Sequence, residues 1–232
     1  MVPELFGTEH ILYIVITAIL FGGGLFFAYR YAKTEKVQTI ILKAMAILLF
    51  VAVMTNRISQ VFRYDTVRWY CLIPDSFCAM TSLVLALAVL FGKKNNCVYH
   101  FTWLLGLFGG ISTVIYATFV GQDSSFFYIP TITGLLHHSF SASLVIALLM
   151  FGQIDITYKK WYCTFFGFTA YLTVGAFLMH TFDLSDAFHI AEPLLPGTPF
   201  TAWGMAPLYA VSYAIILLLI ELYKRKKRAN NE

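Results

Sequence analysis

The residues of this chain best suited to chemistry are a cysteine, Cys78, and an adjacent histidine pair, His137 and His138, each set within a long apolar stretch. A thiol becomes a strong nucleophile once a neighbouring base takes its proton, and histidine is the usual base. In apolar surroundings a bare thiolate is disfavoured, so a close imidazolium is needed to hold one. Attack of such a sulfur on a lipid ester would give an acyl-thioester. The acyl group would then pass to water or to the hydroxyl of a lysolipid, with histidine serving first as base and then as acid. The polar residues around these three are periodic. Cys71, Asp75, Cys78 and Ser82 recur at intervals of 4, 3 and 4, the spacing of one helix face, with Pro74 beside them. Thr133, His137 and Ser141 form a second stripe, which leaves His138 about 100° away around its helix. Arg57, Arg63 and Arg68 precede the cysteine. Guanidinium groups there would hold a lipid phosphate by bidentate hydrogen bonds, with Asp75 either a further substrate contact or an ion-pair partner for Arg57 or Arg68.

The elements that must position these groups are membrane spans. The 232 residues are 59% hydrophobic and only 12% charged, against about 25% charged in a soluble domain. The mean hydropathy is +0.73. Too few polar side chains exist to cover a water-facing surface, which excludes a soluble globule, a disordered chain, a coiled coil and a disulfide-stapled scaffold. A net charge of +4 does not suggest a nucleic-acid partner; the expected partners are membrane lipids. Seven stretches approach the roughly 20 residues that a 30 Å hydrocarbon core requires: Ile11–Ala32, Val37–Thr55, Trp69–Gly92, Val98–Gly121, Thr131–Gly152, Trp161–Phe182 and Met205–Tyr223. Strand-like alternation is absent, so the expected fold is all-α, a polytopic bundle of seven transmembrane helices forming one domain over residues 1–232. Lipid offers no partner for an open backbone, which favours helices for the same reason.

Basic residues set the orientation. Thirteen of the sixteen fall on one side if the N-terminus is outside and the C-terminus inside; the exceptions are Arg57, Arg63 and Arg68. The first ten residues carry no Lys or Arg, so the first span reads as a retained helix rather than a cleaved leader. The expected location is the plasma membrane. In this orientation the cysteine and the histidine pair enter from the outer side at similar depth. Bland readings stand beside the chemical one. Cys71, Cys97 and Cys163 suit packing, the aromatics fill helix contacts, and Gly106-x-x-x-Gly110 suits close helix approach.

The stretch from Arg68 to Ile154, with Cys78 early in the third span and His137-His138 in the fifth, resembles the YwaF-like family of integral membrane proteins. So does the tail Phe200-Thr-Ala-Trp-Gly-Met-Ala-Pro-Leu-Tyr209, which is similar to a Gly-x-x-Pro-x-Tyr ending in that family. There a proline lies shortly before the cysteine, as Pro74 does here, and the histidine is followed by a small residue. The resemblance therefore favours His138, followed by Ser139, whereas the polar stripe favours His137; both stay open as the base. Through a vertebrate relative, a membrane phospholipid acyltransferase thought to use a cysteine and a histidine, the resemblance implies acyl transfer with Cys78 as nucleophile.

The expectation is thus a lipid acyltransferase or lipase-like enzyme with Cys78 and His138 or His137 catalytic, and Arg57, Arg63, Arg68 and Asp75 binding substrate. No cofactor or metal is expected in this reading. A small-molecule transporter or binding protein is the alternative, since intramembrane Asp and His also line transport paths. A lesser alternative is a metal-dependent lipid hydrolase using His137 or His138 with His180 and Asp183. The donor and acceptor lipids and the oligomeric state are not readable from the sequence.

Overall fold

The structure, a computed structural model, describes residues 5–63, 66–117, 125–195 and 197–230. Among these residues there are seven α-helices and no strand. They fall into two compact units, the chain up to Ile154 and the chain from Asp155 onward.

The first unit holds α1 (Thr8–Tyr31), α2 (Glu35–Val61), α3 (Phe77–Phe91), α4 (Cys97–Ile115) and α5 (Ile129–Met150). Several helix starts carry side-chain caps that satisfy N–H groups left without an intrahelical partner. Thr34 accepts from the Val37 N–H at 3.3 Å, and Asn96 accepts from the Tyr99 N–H at 3.0 Å. Pro130 sits in the first turn of α5, where a missing N–H costs no hydrogen bond. That helix is the centre of the unit, with α1, α2, α3 and α4 all packed on it. Its polar residues Thr133, His137, His138, Ser139 and Ser141 are buried by these neighbours rather than by lipid. At the periphery, α1 buries only His10 and Tyr13. The rest of that helix turns outward, as suits a span whose other partner is acyl chain.

Glycines set the closest approach in the unit. A Cβ added at Gly110 of α4 would lie 2.6 Å from the His138 carbonyl oxygen and 2.8 Å from Ala142 Cβ. One added at Gly106 would lie 3.0 Å from Ser141 Oγ. The expected role of this glycine pair in helix packing is what the contacts show.

Among the described residues, six helical segments are long and apolar enough to cross a membrane: α1, α2, α4, α5, Tyr158–Phe182 and Ala202–Ala229. The third expected span differs. Its stretch does not run as one helix from Trp69 to Gly92 but as a 3-10 turn, Trp69–Leu72, an irregular link, and then α3. Pro74 lies in the link, and Ser76 caps α3, accepting from the Ala79 N–H. Proline disfavours helix at the residue before it and lacks a donor itself, which explains the break. At 15 residues, α3 is about 22 Å long, short of a 30 Å core. The face proposed for Cys71, Asp75, Cys78 and Ser82 is therefore corrected: only Cys78 and Ser82 share a helix. A second correction concerns Arg57, placed by hydropathy in the connection after the second span. It lies within the last turns of α2 and is 6% exposed. The fourth expected span reached Gly121; α4 ends at Ile115, and 118–121 lie outside the described residues.

The second unit holds a 3-10 turn (Tyr158–Lys160), α6 (Trp161–Phe182) and α7 (Ala202–Ala229). The long connection between these helices is pinned to α6. Phe188 is 1% exposed, and a Cβ at Gly175 would meet its ring at 2.9 Å. Asp183 ends α6 in the left-handed region at φ 54. Asp186 then turns the chain by accepting from the N–H groups of Ala191 and Glu192. The last turn of α7 carries Lys226, Lys227 and Arg228, cations that suit a helix C-terminus.

Candidate functional site

The break before α3 fixes the position of the cysteine. With Ser76 as cap, Cys78 is the second residue of α3, among N–H groups that the helix itself leaves unpaired. Its sulfur is directed at α4. A Cβ built on Gly109 would stand 3.1 Å from Cys78 Sγ, so the missing side chain makes room for the sulfur. The His138 ring lies beside the backbone of this same glycine. Gly109 is thus a shared floor for sulfur and imidazole.

His137 faces another way. Its Nδ1 lies 3.3 Å from Ser82 Oγ of α3, and its ring stacks on that of His138 with centroids 4.2 Å apart and planes inclined by 30°. Both histidines are buried, at 5% and 7% exposure. The helical stripe that drew attention to His137 is real, yet it leads to Ser82 and, through Thr133, to Asn56. Asn56 Nδ2 donates to the Pro130 carbonyl at 2.9 Å and to Thr133 Oγ1 at 3.2 Å, tying α2 to the start of α5.

A cavity of about 280 Å³ opens beside these groups. It is lined by Asn56, Arg57, Gln60, Arg63, Asp75, Ser76, Ala79, Gly134, His137 and His138. Arg57 Nη1 pairs with Asp75 Oδ1 at 2.8 Å, and its Nε donates to the Cys71 carbonyl at 2.8 Å. One guanidinium therefore neutralises a carboxylate and satisfies a carbonyl of the 3-10 turn. Of the two candidate partners for Asp75, Arg57 is the one it meets. Arg63 is exposed, with Nη1 3.5 Å from Gln60 Oε1. Arg68 does not line the cavity. Its backbone holds the 3-10 turn, donating to Val61 and accepting from Cys71. Nor does Cys78 line the cavity, since its sulfur faces Gly109.

His10 of α1 is a structural clamp. Its Nδ1 accepts from the Phe6 N–H at 3.1 Å, so its Nε2 donates to the Val114 carbonyl at 2.9 Å. His180 and Asp183 belong to the second unit. Among the described residues, no group of three or more His, Cys, Asp or Glu is placed to hold a metal ion. Sequence reasoning missed Gly109, Ser82 as a partner of His137, and Asn56. The signal for Gly109 was its place beside Gly110 on the helix opposite the polar stripes.

Comparison with known proteins adds one match. The model of the TMEM164 family, a family of membrane proteins, matches residues 5–223. No curated protein and no solved structure matches the chain.

Proposed function

The chain belongs to the TMEM164 family of membrane proteins, and from that premise we propose that it is a membrane lipid acyltransferase working through a thioester on Cys78. The observation that carries the reading is the shared contact at Gly109, where the Cys78 sulfur and the His138 ring meet one backbone position. The resemblance to the YwaF-like proteins, with their acyltransferase relative, supplies the reaction class.

In the first half-reaction the unprotonated nitrogen of His138 takes the thiol proton as sulfur attacks the ester carbonyl of a phospholipid. Charge on the carbonyl oxygen falls near the N–H groups of the first turn of α3, donors of the kind that stabilise an oxyanion. The carbon–oxygen bond breaks, the lysolipid leaves with the proton from His138, and the acyl group stays on sulfur. In the second half a lysolipid hydroxyl, or water, gives its proton to His138 and attacks the thioester. The carbon–sulfur bond breaks and the sulfur recovers its proton. Arg57 and Arg63, both lining the cavity, supply contacts for a head-group phosphate. Asp75 holds Arg57 in place meanwhile. The proposal includes the N-outside, C-inside orientation and a plasma-membrane location drawn from the distribution of basic residues.

The test is intact-protein mass spectrometry of the purified chain after incubation with phospholipid, beside Cys78→Ala. The expected result is a hydroxylamine-sensitive acyl mass on the wild type alone, and loss of acyl transfer in the variant. Lipid turnover that persists in Cys78→Ala refutes the thioester. A transporter or binding role is the second reading, favoured by the ion pair in the wall of the polar cavity. It predicts ligand binding that survives Cys78→Ala and falls with Asp75→Ala.

A further inference from the structure

The acyl-enzyme reading assigns work to Cys78 and His138 but none to the buried pair beside them, Ser82 and His137. We infer that Ser82 is a positioning residue for this chemistry, acting through His137 on the orientation of His138; the inference rests on the acyl-enzyme reading above. Ser82 lies four residues after Cys78 on α3 and is 1% exposed. A serine within a helix usually turns its hydroxyl back to the carbonyl four residues earlier. Ser139 does so here, donating to the Leu135 carbonyl at 3.0 Å. Ser82 instead reaches across to α5, 3.3 Å from His137 Nδ1.

The contacts then form a closed circuit. Ser82 fixes the plane of His137, and the His137 ring stacks at 4.2 Å on His138. His138 lies beside Gly109, and Gly109 abuts the Cys78 sulfur one turn before Ser82. A base is effective only when its lone pair points at the proton it takes. An imidazole can still turn about its side-chain bonds. The stacked His137 ring removes this freedom, and Ser82 prevents His137 from turning with it.

The experiment compares Ser82→Ala, Ser82→Thr and His137→Phe with wild type and Cys78→Ala in the purified full chain. It reads the single-turnover rate of Cys78 acylation by phospholipid, the KM of steady-state transfer, and the rate of Cys78 alkylation by iodoacetamide. Ser82→Ala and His137→Phe should slow both acylation and alkylation by about 10- to 100-fold, the scale of a misplaced catalytic group. KM should stay within about twofold and Ser82→Thr should recover most of the rate, since it keeps the hydroxyl. His137→Phe keeps a ring to stack but lacks Nδ1, so it tests the circuit even where Ser82→Ala lowers the yield of folded protein. Acylation and alkylation at the wild-type rate in folded Ser82→Ala overturns the inference while leaving Cys78 as nucleophile. Turnover that persists in Cys78→Ala removes the acyl-enzyme reading, and this inference with it.

Discussion

At the scale of single residues, two neighbouring glycines of α4 do different work, and substitution separates them. A Cβ at Gly109 meets only the Cys78 sulfur, at 3.1 Å, a contact that a small shift of one side chain relieves. Gly109→Ala should leave stability within about 1 kcal/mol yet lower acyl transfer about tenfold or more by displacing the nucleophile. A Cβ at Gly110 meets backbone and Cβ atoms of α5 at 2.6 to 3.1 Å, which cannot yield without moving a helix. Gly110→Ala should cost roughly 1–3 kcal/mol of overpacking and lower the melting temperature in detergent. Equal effects of the two on stability would show that Gly109 is only a packing position. The candidate residues were conspicuous in the sequence because a thiol and two imidazoles stand out in apolar stretches. Their partners were not. Nothing in the spacing tells that His137 leads to Ser82 and His138 to Gly109, since each link joins residues of different helices whose rotation is set by packing.

At the scale of elements, the segment between α2 and α3 is where hydropathy misled. A 24-residue apolar run reads as one span, but Pro74 and a capping Ser76 divide it, and the helix begins only at Phe77. Arg57 read as a loop residue because its charge ends the apolar run, although α2 continues to Val61 and buries it. The two errors have one cause. The 3-10 turn needs a donor for its Cys71 carbonyl and the link a counter-charge for Asp75, and a buried arginine at the end of α2 supplies both. A double-mutant cycle with Arg57→Met and Asp75→Ala should give a coupling of about 1–2 kcal/mol in thermal unfolding, reduced from a fully buried pair because the Asp75 side chain is 42% exposed. Strictly additive losses would mean that the ion pair does not hold the link.

At the scale of the molecule, apolar composition and the count of stretches gave a multi-pass helical membrane protein correctly. Six of the seven stretches match helices long enough to span. The count of crossings decides whether the termini lie on the same or on opposite sides. If α3 and its link complete a seventh crossing, epitope tags at the two ends of the chain should be accessible from opposite faces of sealed vesicles, the C-terminal tag from the face that bears the terminal basic run. Tags exposed on one common face would reduce α3 to a re-entrant element. The abundance of aromatics carried no such information, because rings suit helix–helix contact and lipid contact equally.

The brevity of α3 has a consequence for the surrounding bilayer. Where a full-length helix would present about 30 Å of apolar surface, α3 offers about 22 Å, and the remainder is a 3-10 turn and an irregular link that carries the part-exposed carboxylate of Asp75. Lipids beside a shortened wall thin rather than leave polar groups dry. The glycerol of a neighbouring lipid would then settle to the level of the first turn of α3 without being drawn out of its leaflet. On the acyl-enzyme reading, a cysteine in that turn would meet its substrate by dimpling the membrane towards itself.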